Sequence, residues 1–420
     1  MTRTRLLLIA ALVLPAVLPA QDPVRSWNAT ALDTIRTANI SPPVASRLLA
    51  MLHVAVFDAV NGVQPRYDVY LVPPKVPPFA SREAAAITAA HDVMTSLQPT
   101  FAQRFAAQRD TELAAIAPSP ARSAGIAWGT DVARAILAAR ANDGSSGAAT
   151  YPGSTEPGKW RPTLSFGGIV RPALVPHWGR VRPFALRTGT QYRPPPPPSL
   201  RSLRYAAEVF TVQRLGARDG STRTPEQTEI ARFWGYGPGT ATPPGHWNQI
   251  ATAALASEPV DRHDLVDVAR IYALMNVAMA DAAIACWDCK YDIGLWRPIT
   301  AIQLADQDRN ALTIADRSWM PLLETPPFPE YTSGHSTFSA AAAVALILGF
   351  GRDAVPFRVG SDDLPGVERR YARFSEAAIE SGISRVYGGI HFWSGNVEGL
   401  ESGLRIGLWT VSNVLRPRRR

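Results

Sequence analysis

Lysine is nearly missing from this 420-residue chain: of 43 basic residues, only Lys75, Lys159 and Lys290 are lysine. A chain that uses arginine almost everywhere thus keeps an ammonium at 290, where a compact point charge differs from a planar fork. Cysteine is scarcer still, at Cys286 and Cys289 alone. Two cysteines exclude a disulfide-built scaffold and cannot by themselves form a zinc site. Their Cys-Trp-Asp-Cys spacing allows a redox pair, but they fall late in a long helical pattern rather than at a helix start after a strand, so they read as small buried residues. Strand-like alternation is rare, and past the first twenty residues no apolar run reads as long enough to span a bilayer.

An excess of charge is also less than it first looks. The formal charge is +8, but Arg3, Arg5, Arg416, Arg418, Arg419 and Arg420 sit at the two ends, and without these six the body carries about +2. No basic patch interleaved with aromatics remains, which argues against nucleic acid as a partner. The C-terminal arginines read as a solvated end.

What is present is a globular composition, 46% apolar and 19% charged, in a chain long enough to bury a full core. Residues 1–20 read as a secretory leader: Arg3 and Arg5, an apolar run from Leu6 to Val17, and cleavage after Ala20. Export to the periplasm or beyond is the expectation. Helix-period apolar patterns run at 44–62, 81–97, 99–116 and 119–142, then at 199–215, 224–235, 246–257 and 261–289, and finally at 335–349, 368–386 and 394–414. Ser81, Ser119-Pro120 and Thr224-Pro225-Glu226 are start signals. From 143 to 200 the pattern fails, ending in five prolines, Pro194 to Pro198. Trp160, Trp178 and Phe184 would anchor this stretch as a wrapping excursion; an interdomain linker is the alternative. The expected fold is all-α, a multi-helix bundle: one large helical domain over 21–420, with N-terminal helices and the wrap to 200 and a helical core over 200–415.

Three short segments carry chemistry. Lys290 ends a helix and Arg297-Pro298 follows after Gly294; two cations on a rigid turn suit an oxyanion, although two surface charges would read the same. Ser333-Gly334-His335 opens a helix, where free N–H groups and the positive dipole end favour an anion and His335 can exchange a proton or simply cap. Ser384-Arg385 closes a helix, and Gly388-Gly389 permits a turn before His391, a nucleophile, a ligand or a packed ring.

The composite K-x6-R-P, S-G-H and S-R-x5-H resembles the signature shared by vanadium-dependent haloperoxidases and the type-2 phosphatidic acid phosphatase superfamily. The resemblance implies that Lys290, Arg297, Arg385, Ser333 and the Gly334 N–H hold the oxygens of vanadate or phosphate. It implies that His335 is the acid–base histidine and that His391 binds vanadium, or accepts the phosphoryl group in a phosphatase. Trp287 and Phe328 fall where chloroperoxidases of this family carry halide-site aromatics, which tilts the expectation to a haloperoxidase, a peroxidase-class oxidoreductase. Hydrogen peroxide, halide and a small organic acceptor are then the partners, with His335 taking the peroxide proton, Lys290 polarising the bound peroxide and hypohalous acid formed. An exported acid phosphatase and a non-catalytic oxyanion-binding relative are the alternatives. Thr332 replaces the usual proline. Gly395 replaces the acid of the phosphatase H-x3-D pattern, so Asn396, a carbonyl or a remote carboxylate must orient His391.

Overall fold

Helices with marked starts, many of them alanine-rich, are the main elements of the protein. The structure is a computed structural model, and it describes residues 22–259 and 262–418. The predicted leader at 1–20 lies outside the described residues. The N-terminal helices are α1 (Pro23–Thr37), α2 (Pro42–Val63), α3 (Arg82–Leu97), α4 (Ala102–Ala114) and α5 (Pro120–Arg140). After the excursion come α6 (Leu203–Leu215), α7 (Pro225–Phe233), α8 (Thr242–Ala256), α9 (Leu265–Ile293) and the short α10 (Pro298–Gln303). The last three helices are α11 (Gly334–Phe350), α12 (Phe374–Tyr387) and α13 (Trp393–Asn413). Proline in the first turn of α1, α2, α5, α7, α8 and α10 uses a position where a missing N–H costs no bond. Ser81, Ser119 and Ser333 accept from the backbone of the first turn as N-caps, and Thr224 with Gln227 forms a capping box.

The sequence reading missed α1 and α10 and misjudged 368–373. Glu368–Tyr371 is a strand, paired antiparallel with Phe357–Gly360, and α12 begins only at Phe374. The Phe357 and Tyr371 rings pack 5.4 Å apart, so cross-strand aromatic contact sets this small hairpin. The α1 segment carries Asn, Thr and Asp among its apolar residues, which blurs its period although Trp27, Ala31 and Ile35 are buried.

The expectation of no further apolar run of membrane-spanning length also fails. α2 and α9 are both long and apolar enough by length and composition, but 89% and 94% of their apolar windows are buried inside the bundle. They are its central helices. α9 packs against α2 on one side and α11 on the other. It runs three residues past Lys290 and stops at Gly294, whose positive φ of 64° gives the left-handed C-cap.

α13 lies unusually close to α11. A Cβ at Gly399, Gly403 or Gly407 would meet the carbonyl oxygens of Ser333, Thr337 and Ala341 at 2.9, 2.3 and 2.9 Å. One glycine per turn thus lets two backbones touch, and the seam leads straight to the S-G-H segment at the start of α11.

The 143–200 excursion crosses α9. Trp160 and Trp178 are buried, and the backbone N–H groups of Phe184, Ala185 and Leu186 all donate to the buried Asp281 carboxylate at 2.6–2.8 Å. Nearer the site, the Leu174 carbonyl accepts from Trp287 Nε1 at 3.1 Å and from the Tyr291 hydroxyl at 2.8 Å. Cys286 and Cys289 are buried and free, in agreement with their reading as small core residues.

Candidate functional site

The three chemical segments converge where the C-terminal end of α9, the N-terminal end of α11 and the turn between α12 and α13 meet. A cavity of about 470 Å³ opens there, and six of the nine predicted residues line it: Trp287, Phe328, Gly334, His335, Arg385 and His391. Lys290, Arg297 and Ser333 stand just behind this wall, each with no exposed surface. The alternative of two surface charges at 290 and 297 is thereby excluded.

Each cation is held by backbone oxygens. Lys290 Nζ donates to the carbonyls of Pro329 and Glu330 at 3.1 and 3.0 Å and to that of Thr332. Its three protons therefore fasten the turn that delivers Ser333. Arg297, in extended geometry ahead of Pro298, donates from Nε to the Phe328 carbonyl at 2.7 Å and from Nη1 to the Ile390 carbonyl at 2.8 Å. Arg385 donates to the Ala231 carbonyl at 3.0 Å and faces the Asp363 carboxylate. The Phe328 ring sits between the first two, 4.9 Å from Lys290 Nζ and 4.7 Å from Arg297 Cζ, and 5.0 Å from the Trp287 ring. Burial pushes Lys290 below its ordinary value, Arg297 down to about 10 and Arg385 to about 9; the two guanidiniums stay cationic at neutral pH, and three carbonyl acceptors suit Lys290 as the ammonium.

The two histidines are kept neutral. Burial, reinforced by Arg297, Lys290 and Arg385, holds His391 well below its ordinary value. Burial and Arg385 do the same to His335, partly opposed by the Trp234 carbonyl. His391 Nδ1 lies 2.8 Å from Glu330 Oε1, and Arg297 Nη1 lies 3.1 Å from His391 Nε2. A guanidinium only donates, so Nε2 accepts and the ring proton sits on Nδ1, donated to the carboxylate. Ser333 Oγ serves as N-cap, accepting from the Ser336 N–H at 3.3 Å.

At this site Arg297 Nη2 is a buried donor with no acceptor among the described residues, and His335 Nε2 also lacks a partner, as the lone-pair nitrogen of a neutral ring whose other nitrogen meets the Trp234 carbonyl. The first N–H groups of α11 also have no intrahelical partner. Unpaired buried donors are costly, and a tetrahedral oxyanion is the ligand that would satisfy this set. The residues therefore fit vanadate or phosphate.

Glu330 is what the sequence reading did not single out. Of the three groups left open for His391 Nδ1, the one that meets it is a remote carboxylate, Glu330 Oε1 at 2.8 Å, while Asn396 Oδ1 accepts from the Ser336 hydroxyl. The available signals were an acid inside Pro329-Glu330-Tyr331 and the missing acid at 395. The mouth of the cavity, formed in part by the loop after α1 and the turn around Tyr236, also went unread, because long-range packing brings it there.

Fold and site together define a helical-bundle protein with a buried cluster of three cations and two histidines beside a cavity. Residues 270–419 match the family described as the VCPO second helical-bundle domain. Vanadium chloroperoxidase from Curvularia inaequalis is 26% identical over 490 residues, spanning 87% of this chain and 78% of that one. The solved structure of a bacterial vanadium-dependent iodoperoxidase superposes with a TM-score of 0.82 at 30% identity, covering 96% of this chain and 99% of its own. A bacterial vanadium-dependent chloroperoxidase in its holo form, 18% identical, superposes at 0.70 over 89% and 91% of the two chains and so shares the fold. The chain belongs to the vanadium-dependent haloperoxidase family.

Proposed function

We propose that the protein is a vanadium-dependent haloperoxidase that uses hydrogen peroxide to oxidise halide to hypohalous acid. The observation that carries this reading is the buried, neutral His391, whose Nε2 lone pair lies among the cations Arg297, Lys290 and Arg385. An uncharged imidazole is a metal ligand, and the surrounding positive charge suits an anionic oxide.

Vanadate bound there would supply a Lewis acid that makes peroxide electrophilic toward halide without a change of oxidation state. His391 would hold it through Nε2, with Arg297 Nη2, Arg385 and the α11 N–H groups on its oxygens. His335 would take the peroxide proton at Nε2, the nitrogen left without a partner. Lys290, fastened to three carbonyls, would add positive charge through the turn. Trp287 and Phe328 would form the apolar wall beside which halide approaches. A small organic acceptor would then be halogenated by the hypohalous acid. The leader at 1–20 would export the enzyme, and a mature protein starting at Gln21 is the check on that assignment.

Acid phosphatase activity is the second reading, favoured by one observation. Glu330 on Nδ1 would orient His391 as a nucleophile as well as a ligand. One comparison separates the two: vanadate-loaded protein is assayed for bromide- and iodide-dependent halogenation with peroxide, beside phosphate-ester hydrolysis without it. Turnover in the first supports the haloperoxidase; turnover in the second alone reverses the choice.

A further inference from the structure

Gly395 sits in the first turn of α13, four residues after His391. A Cβ placed on it would lie 2.3 Å from Glu330 Oε1 and 2.9 Å from Oε2. The same Oε1 receives His391 Nδ1 at 2.8 Å and the Phe392 N–H at 2.9 Å. The carboxylate of Glu330 therefore fills the space into which a side chain from position 395 would project, and it does so in contact with the imidazole. Glu330 is fully buried. Its carbonyl is held by Lys290 and its N–H donates to the Leu295 carbonyl at 2.9 Å, so its backbone is fixed from two sides.

We infer that Glu330 is the positioning residue for His391 and that positions 330 and 395 act as a reciprocal pair, one supplying the carboxylate and the other the room for it. The inference rests on the reading of His391 as the histidine that meets the anion. Its physical content is a fixed tautomer: Oε1, which also takes the Phe392 N–H, meets Nδ1 while the Arg297 guanidinium meets Nε2, so the ring proton lies on Nδ1 and the Nε2 lone pair is left for the ligand or for Arg297. Arg297 Nη1 favours the same tautomer from the Nε2 side, but without the Glu330 acceptor the Nδ1–H would be buried unpaired, so that tautomer would lose its advantage and the ring its fixed orientation; the Nε2–H form cannot bind an anion through that nitrogen. A further consequence is that a shorter acid at 395 can take over once residue 330 is truncated, since the two side chains compete for one volume.

The test uses full-length protein with 15N-labelled histidine in three variants: Glu330→Gln, Glu330→Ala, and Glu330→Ala combined with Gly395→Asp. Histidine tautomers are read by NMR in vanadate-free protein, and orthovanadate affinity is read separately by titration. Wild type should show His391 as the Nδ1–H tautomer. Glu330→Ala should show mixed tautomers and a roughly 10- to 100-fold weaker vanadate affinity. The double variant should move both readouts back toward wild type, and Glu330→Gln, which keeps an acceptor oxygen, should keep the tautomer. Unchanged tautomer and affinity in Glu330→Ala, or a double variant no better than Glu330→Ala, would overturn the pairing. Should Glu330→Ala not fold, the double variant decides: folding with the wild-type tautomer and vanadate affinity upholds the pairing, and failure to fold or loss of both overturns it. Failure of wild type to bind vanadate would count against the proposed function, while the tautomer comparison still judges Glu330.

Discussion

Arg297 and His391 are joined at 3.1 Å, guanidinium Nη1 to imidazole Nε2, across a gap of 94 positions in the chain. The same arginine holds the Phe328 and Ile390 carbonyls and keeps Nη2 free of any acceptor among the described residues. It is therefore both a brace between two segments and a donor in waiting. Replacing it by lysine would keep the charge but offer no planar fork. We expect Arg297→Lys to lose vanadate or phosphate affinity by at least about tenfold and to cost about 1–3 kcal/mol of stability through an abandoned buried carbonyl. Titration with each anion and urea unfolding check the two parts. Wild-type affinity for both anions would deny Arg297 a place in the cradle.

The α11–α13 seam gives a prediction that propensity alone gets backwards. Alanine normally stabilises a helix interior by about 1 kcal/mol relative to glycine. At Gly403, however, the new methyl would stand 2.3 Å from the Thr337 carbonyl, a backbone atom that cannot swing aside. Gly403→Ala should therefore destabilise by about 1–3 kcal/mol. Gly167→Ala, whose nearest neighbour is a serine hydroxyl at 3.7 Å, should be near neutral. Thermal melts of the two variants beside wild type decide it, and a raised midpoint for Gly403→Ala would contradict the close approach.

Asp281 is the pin that holds the excursion against α9. It is fully buried, which pushes its carboxyl up to about 6, and it still accepts three consecutive N–H groups. Asparagine offers one acceptor oxygen and turns a donor toward donors. At pH 7, Asp281→Asn should cost about 2–4 kcal/mol and speed amide exchange across 174–186. Because Leu174 holds Trp287 Nε1, the variant should also change Trp287 fluorescence. Unaltered exchange at Phe184, Ala185 and Leu186 would argue that the wrap is held elsewhere.

Much of this was legible in the sequence, for a specific reason. Lys290, Arg297, Ser333-Gly334-His335, Arg385 and His391 are each tied to a local signal, a helix end, a proline or a glycine turn, which marks them as candidates, and the resemblance of the composite to a known signature gives them roles. Glu330 carries no such signal, because its role depends on the room left by Gly395, 65 positions later. The glycine ridge of α13 reads as weak helix former until α11 is seen against it. The Glu368–Tyr371 strand was hidden because it pairs with Phe357–Gly360 and borders a true helix. Local physics thus disclosed the cations and histidines, and tertiary contact was needed for the group that aims one of them.

Acid sensitivity has an identifiable source in the core. His53 is fully buried against the Tyr272 ring at 4.9 Å, and burial pushes it down to about 3. Below about pH 6.5 the unfolded chain takes up a proton that the folded one refuses, so stability falls as pH falls from there toward 3. The slope from this one residue is about 1.4 kcal/mol per pH unit well inside that window. His53→Asn should start less stable at pH 7, yet lose less on acidification, so the gap to wild type should narrow between pH 6 and 4. Denaturant unfolding at several pH values measures the gap; a constant gap would mean that His53 takes up its proton alike in the folded and unfolded states.

His335 separates binding from turnover. It lines the cavity two residues past the Ser333 cap, its Nε2 has no partner among the described residues, and it is held neutral by burial and Arg385. A neutral imidazole there can take a proton from a bound reactant, whereas the anion itself is held by His391, the arginines and the α11 backbone. His335→Ala should therefore keep vanadate affinity within a few-fold while lowering halogenation kcat by about 10²- to 10⁴-fold. His391→Ala should do the reverse, with affinity lost first. Measuring vanadium content and kcat on the same preparations distinguishes them. Full turnover in His335→Ala would remove its acid–base role, and stoichiometric vanadium retained in His391→Ala would remove the ligand assignment.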